Sequence, residues 1–198
     1  DQILDGNATG WSPGKYGNAM GFDGVDDYIN IADDDSLTFG DGTTDRPFSV
    51  SAWVNLLDTT AAVLIAKYSE ETAFEEEWIL FLDAGKVNFE MQDESAGGAQ
   101  IARIDDSALA VGVWHHIVGT YDGSGSSSGI KIYQNGVRTD DSDDNIAGTG
   151  YVAMEPTTTP PTIGMFLRDA GPTFVFNGTI DEVMIYKRAL APEEIRTH

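Results

Sequence analysis

The stretch Phe48–Leu56 alternates without a break: Phe48, Val50, Ala52, Val54 and Leu56 fall on one side, Ser49, Ser51, Trp53 and Asn55 on the other. Only an extended strand, whose successive side chains point to opposite faces, sorts such a sequence into an apolar and a polar side. The same grammar recurs along the chain. Ala61–Lys67 and Trp78–Leu82 are continuous apolar runs suited to central strands. Val87, Phe89 and Met91 alternate with Lys86, Asn88 and Glu90. Ile101–Ile104, Trp114–Tyr121, Ile130–Gln134, Thr162–Leu167, Phe174–Phe176 and Ile180–Tyr186 read as further short strands, separated by Gly, Ser, Thr, Asp and Pro. Asn135-Gly136 is a type I′ turn signal, so Val137-Arg138 is expected to return antiparallel. Phe176-Asn177-Gly178-Thr179 reads as a turn, and Glu70–Glu77 as an exposed acidic connection. Only Ala191-Pro192-Glu193-Glu194-Ile195 predicts a helix, with Pro at the first helical position and acids in the first turn. About a dozen strands and one short helix give an all-β fold: a two-sheet antiparallel β-sandwich of jelly-roll type, closed by a C-terminal helix.

A chain of 198 residues is long enough for one such domain with a sizeable core. No apolar run reaches 18 residues, so membrane insertion is not expected. The N-terminus shows no signal-peptide pattern, and residues 1–198 are expected to form a single domain excised from a larger protein, or a mature secreted chain. The absence of cysteine removes disulfides, thiol catalysis and cysteine metal sites. The triplets Asn7-Ala8-Thr9 and Asn177-Gly178-Thr179 are glycosylation acceptors if the chain is secreted. With 33 acids against 11 bases, a net charge of −22, the surface repels phosphate backbones and anionic bilayers, so no nucleic-acid partner is expected. Two readings of that charge compete: a salt-adapted surface kept soluble by repulsion, and cation binding by a few clustered carboxylates.

Four segments carry a resemblance. Ala19–Ile29, Phe48–Val54, the pair Trp114–Gly123 and Ile130–Val137, and Gly178–Leu190 followed by Glu193-Glu194-Ile195 come in an order that resembles the laminin-G-like (concanavalin A-like lectin/glucanase) jelly-roll domains. The matches run from residue 19 to residue 195. The resemblance implies the sandwich fold and a choice of roles: carbohydrate recognition, adhesion, an accessory domain of a glycanase, or an enzyme. It also implies a structural calcium between the N-terminal region and the aspartate of the last strand.

By strict period two Asp181 shares the side of Val183 and Ile185, and a buried carboxylate there needs a partner. The turn Asp23-Gly24-Val25-Asp26-Asp27 exposes carbonyls, so Asp181, Asp23 and Asp27 are the expected calcium ligands, with Asp41 in its Gly-flanked loop as a further candidate. The opposing reading has Asp181 capping backbone N–H groups. Trp53, on the polar side of its strand, is a candidate sugar-stacking platform, with Lys131 and Tyr133 beside it; the alternative is that loops cover that face. His115 and His116 point to opposite faces of a strand and do not suit one metal ion. The Glu-x-Asp-x-x-Glu strand motif of family-16 glycanases is missing, and no carboxylate pair stands out at the close spacing a retaining glycosidase needs. The expected function is a calcium-stabilised, non-catalytic carbohydrate-binding or adhesion module of a secreted or cell-surface protein. Its partners would be a polysaccharide or glycoconjugate and the other domains of the parent protein. A glycanase or lyase with an unrecognised site and a structural spacer are the alternatives.

Overall fold

The computed structural model describes residues 10–71, 75–140, 145–147, 149–168, 171 and 173–197. Strands β1 (Gly10–Pro13), β2 (Asn18–Asp23), β15 (Asn177–Tyr186), β4 (Phe48–Leu56), β9 (Trp114–Tyr121), β10 (Ile130–Gln134) and β11 (Val137–Arg138) lie side by side in that order as one antiparallel sheet. The other sheet runs β12 (Asn145–Ala147), β8 (Ala99–Ile104), β7 (Lys86–Asp93), β6 (Glu75–Asp83), β5 (Ala62–Glu70), β13 (Thr162–Ile163) and β3 (Ile29–Asn30). β14 (Leu167–Arg168) adds to β5 in parallel. The helix α1 spans Pro192–Ile195. The two sheets pack as the sandwich expected from the sequence.

The core forms where the apolar sides meet. All five inward residues of β4, Phe48 to Leu56, are buried. Phe48 stacks on Phe39 at 4.2 Å and meets Phe89 and Tyr121 edge-on. Asn135 and Gly136 take the positive φ angles of 51° and 79° that a type I′ turn requires, and β10 and β11 pair across them. Four expectations need correction. Thr162–Leu167 is not one strand, since β13 ends at Ile163 and β14 begins at Leu167, and Phe174–Phe176 forms no strand. Asn177–Thr179 is not a turn but the start of β15, paired with β2 on one side and β4 on the other. Glu75–Glu77 are not part of an exposed connection but open β6, and Glu76 and Glu77 are buried.

The acids are not all surface charge. Asp45 accepts hydrogen bonds from Tyr121, Tyr151 and the backbone of Met154, and burial pushes its carboxyl up. Asp93 accepts from Ser95, Ala96 and Val152. Glu77 accepts from Thr38 and from both the backbone and the hydroxyl of Thr157. Its charge faces Lys67, which is fully buried between Glu77 at 3.3 Å and Asp33 at 2.6 Å. These carboxylates tie distant loops to the strands, because a buried acid holds its place only where donors converge on it.

Candidate functional site

The expected calcium ligands separate into two places. In the β2–β3 turn the carboxylates of Asp23, Asp26 and Asp27 come within 4.8 Å of one another. Gly24, at φ +78°, makes that turn possible. One oxygen of Asp23 accepts the Val25 N–H and one of Asp27 accepts the Asp23 N–H.

Asp181 is elsewhere. It pairs with Trp53 in the ladder, while Ile180 pairs with the core residue Val54. Asp181 therefore stands on the outer face, not on the side of Val183 and Ile185. The cause is a β-bulge between Asp181 and Met184, where Glu182 has φ +47° and resets the alternation. Asn177 is the residue paired with Asp23, and Asp181 lies four positions further along β15, about 13 Å away at strand rise. Its carboxylate accepts the N–H of Tyr16 at 3.0 Å and of Glu182 at 2.9 Å, which is the capping arrangement. A Cβ on Gly14 would stand 2.6 Å from that carboxylate, so the β1–β2 turn closes over Asp181 only with glycine there. Asp41 is exposed and accepts from Thr43 and Thr44 inside its own loop.

Nor do the candidate stacking residues form one platform. Trp53 is half-buried. His116 stacks on it at 5.1 Å, Tyr16 meets it edge-on, and the Lys15 ammonium lies 4.2 Å from its ring centre. Its faces are taken by the protein itself. Tyr133 is buried with Val118, Leu190 and Ile195 beneath α1. Lys131 pairs with Thr120, four positions along β9 from the His116 that pairs with Trp53, a separation of about 13 Å. His115 faces the opposite side from His116, with its ring nitrogen 3.0 Å from the Ala110 carbonyl.

The outer face of the other sheet is different. The register places Asn88, Glu90 and Gln92 of β7 outward, flanked by Phe81 and Ile79 of β6 and by Ala102 and Gln100 of β8. Asn88, Glu90, Gln92 and Ile79 are nevertheless as buried as core residues. A groove of about 100 Å³ opens here among Tyr68, Ile79, Phe81, Glu90, Phe166 and Phe174. Its wall is aromatic: Phe166 meets Tyr68 edge-on at 5.1 Å, and Phe174 lies 5.6 Å from Phe166. Phe174 is exposed and sits at φ +56°, a strained left-handed conformation for a bulky residue at the lip. The floor is polar. Gln92 donates to Glu90 at 2.7 Å and to Gln100 at 3.2 Å. Burial pushes the Glu90 carboxyl up to about 7. Burial, reinforced by neighbouring Glu94, pushes Glu76 up to about 8. The rim carries the Arg168–Glu70 ion pair at 2.9 Å.

The sequence profile of the concanavalin A-like lectin/glucanases superfamily matches residues 23–196. The chain belongs to that superfamily. No curated protein sequence matches it significantly. Solved structures share the concanavalin A-like fold at low identity. The binding domain of Paraclostridial Mosquitocidal Protein 1 is 15% identical with a TM-score of 0.69, covering 100% of this chain and 46% of that one. The chain thus spans about half the length of that binding domain. Domain 4 of AbnA, a GH43 extracellular arabinanase from Geobacillus stearothermophilus solved with arabinotriose, is 21% identical with a TM-score of 0.61, covering 94% and 79%. The CBM40 of the Ruminococcus gnavus IT-sialidase, bound to α2,3 sialyllactose, is 12% identical with a TM-score of 0.58, covering 79% and 83%.

In this concanavalin A-like domain the groove is what sequence reasoning missed. The alternation of Asn88 and Glu90 with Val87 and Phe89 already put the polar residues on the outer side. It carried no sign that this side is walled by Phe166 and Phe174, which come from beyond residue 160. No helix among the described residues is long and apolar enough to cross a membrane.

Proposed function

We propose that this domain is a non-catalytic carbohydrate-binding module of a secreted or cell-surface protein, and that its glycan lies in the groove beneath Phe174. The supporting observation is the combination of an exposed, strained aromatic at the lip with the Glu90 carboxyl inside the groove, itself held by a hydrogen bond from Gln92. Aromatic faces pack against sugar C–H surfaces, while amides and carboxyls bond hydroxyls. The known binding of arabinotriose and sialyllactose by structurally similar domains supports the same reading. The groove is lined by two acids, Glu70 and Glu90, and the nearby Arg168 is paired with Glu70, so neutral oligosaccharides suit it better than anionic ones. Calorimetric titration with neutral arabino-, xylo- and gluco-oligosaccharides is the test. Phe174→Ala is expected to weaken binding about tenfold, the worth of one aromatic contact, and Trp53→Ala to leave it unchanged. Binding that survives Phe174→Ala and disappears with Trp53→Ala would move the site to the opposite sheet.

A catalytic reading has one observation in its favour: Glu76 and Glu90 share this face and both hold their protons near neutrality. Turnover of the same oligosaccharides in a reducing-sugar assay, abolished by Glu90→Gln, would establish it.

We also propose a structural calcium in the β2–β3 turn, held by Asp23, Asp26 and Asp27. Three hard oxygen donors on a glycine turn suit that ion, and its charge would offset their mutual repulsion. Asp181, capped by backbone N–H groups, takes no part. In high monovalent salt, calcium at a hundredfold excess over its dissociation constant is expected to add roughly 2.7 kcal/mol, or about 5–10 °C in Tm. Asp27→Asn should abolish that increment and Asp181→Asn should retain it. A chelator that leaves the wild-type Tm unchanged, with no response to added calcium, rejects the ion.

A further inference from the structure

A cavity of about 350 Å³ lies between the sheets, at the end where β2 and β15 face β3 and β13. Its walls are Met20, Phe22 and Ile180 from one sheet and Ile29, Ile65 and Ile163 from the other, all apolar and more than nine-tenths buried. Protein interiors are close-packed, with few voids larger than a water molecule. This one has room for about a dozen waters at about 30 Å³ each, and its walls offer them nothing to bond. The volume falls in the range of small-molecule sites, about 300–1,000 Å³.

Trp11 makes the second observation. It pairs with Met20 across the β1–β2 ladder, so its side chain is on the inner face of the sheet. An inward-facing tryptophan in a sandwich is ordinarily covered by the opposing sheet. Trp11 is 66% exposed, because what stands opposite is the open cavity. Beside the mouth, Glu182 holds φ +47°, a strain of about 1–3 kcal/mol of the kind that gathers at ligand sites. The exposed polar residues lining it are Asn18 and Glu182, the Asp181 carboxylate being turned to the outer face, and no lysine or arginine lines it.

We infer that this cavity binds the apolar body of a small amphiphile, with a neutral or cationic head at the mouth and Trp11 closing over the chain. The apolar walls set the body, the volume sets its size, and the exposed Glu182 carboxylate, with no lysine or arginine beside it, disfavours an anionic head. This site is separate from the groove on the outer face, so neither reading depends on the other.

The test uses the neutral apolar fluorophore N-phenyl-1-naphthylamine and three ten-carbon competitors. The probe is expected to bind saturably at one site per chain. Decanol and decylamine should displace it, and decanoate should do so at least tenfold less well. Ile163→Trp fills the cavity and should abolish probe binding. Because that variant carries a risk of misfolding, the exposed Trp11→Ala serves as the second: it should fold as wild type and weaken the probe about tenfold. Non-saturable binding, or binding unchanged by Trp11→Ala, would overturn the cavity as the site. Equal displacement by decanoate would overturn the assignment of the head.

Discussion

Lys67→Met is expected to destabilise the domain by about 3–5 kcal/mol, because it strands a charge that Lys67 now neutralises. For a chain of this size that is a fall in Tm on the order of 6–20 °C. Lys67 is wholly buried on the inner side of β5. Its ammonium reaches Asp33 at 2.6 Å, Glu77 at 3.3 Å and the carbonyls of Thr157 and Thr159. Two loops and strand β6 thus meet on one cation. Burial alone drives the Glu77 carboxyl up; Lys67 is the leading influence holding it down. Without the ammonium, Glu77 must take up a proton or leave its threonine donors. Lys67→Met combined with Glu77→Gln should therefore recover part of the loss, and a double-mutant cycle on thermal melts measures the coupling. If Lys67→Met melts within about 2 °C of wild type, the ion cluster contributes nothing net.

Stability is also expected to fall as pH rises from about 4.5 to about 8. Glu90 and Glu76 have folded-state values of about 7 and about 8, against 4.5 for an ordinary glutamate. In that window the unfolded chain has released these protons and the folded chain still binds them, so the slope of stability against pH is negative. The contribution is fully present below 4.5 and is lost as pH passes the folded values. At about 1.36 kcal/mol per unit, Glu90 alone accounts for on the order of 3 kcal/mol. Below about pH 4 the sign reverses, because Asp93, held low by converging N–H donors, must be protonated. Melts at pH 5 and pH 8.5 should differ by several degrees in wild type and much less in a Glu76→Gln/Glu90→Gln variant. An equal difference in both would show that other groups set the slope.

The parts of the fold legible in the sequence are those governed by local rules. Phe48–Leu56 revealed itself because one side of β4 meets the core and the other does not. Asn135-Gly136 did so because few dipeptides accept two positive φ angles in succession. Asp181 was misplaced because period two holds only until a bulge intervenes, and nothing in Ile180-Asp181-Glu182-Val183 announces that Glu182 will turn left-handed. Glu75–Glu77 resembled a loop because acidity is a proxy for exposure. Glu77 is inside because Lys67 is there to meet it, a contact between two strands. Tyr133 looked available because α1, which covers it, returns from sixty residues further on. The turn acids Asp23 and Asp27 did come together, since only a few residues separate them.

The order of the strands has one more consequence. Among the described residues each sheet is bounded by short strands: β1 and β11 bound one, β12 and β3 the other, with four, two, three and two residues. A long free margin would present a row of unpaired N–H and C=O groups to a neighbour, the usual start of fibrous association. Here the margins are too brief to template another chain, and a net charge of −22 opposes close approach of two copies. Such a domain tolerates crowding: many copies in tandem, or a dense array on a surface, would remain separate folded units instead of fusing edge to edge.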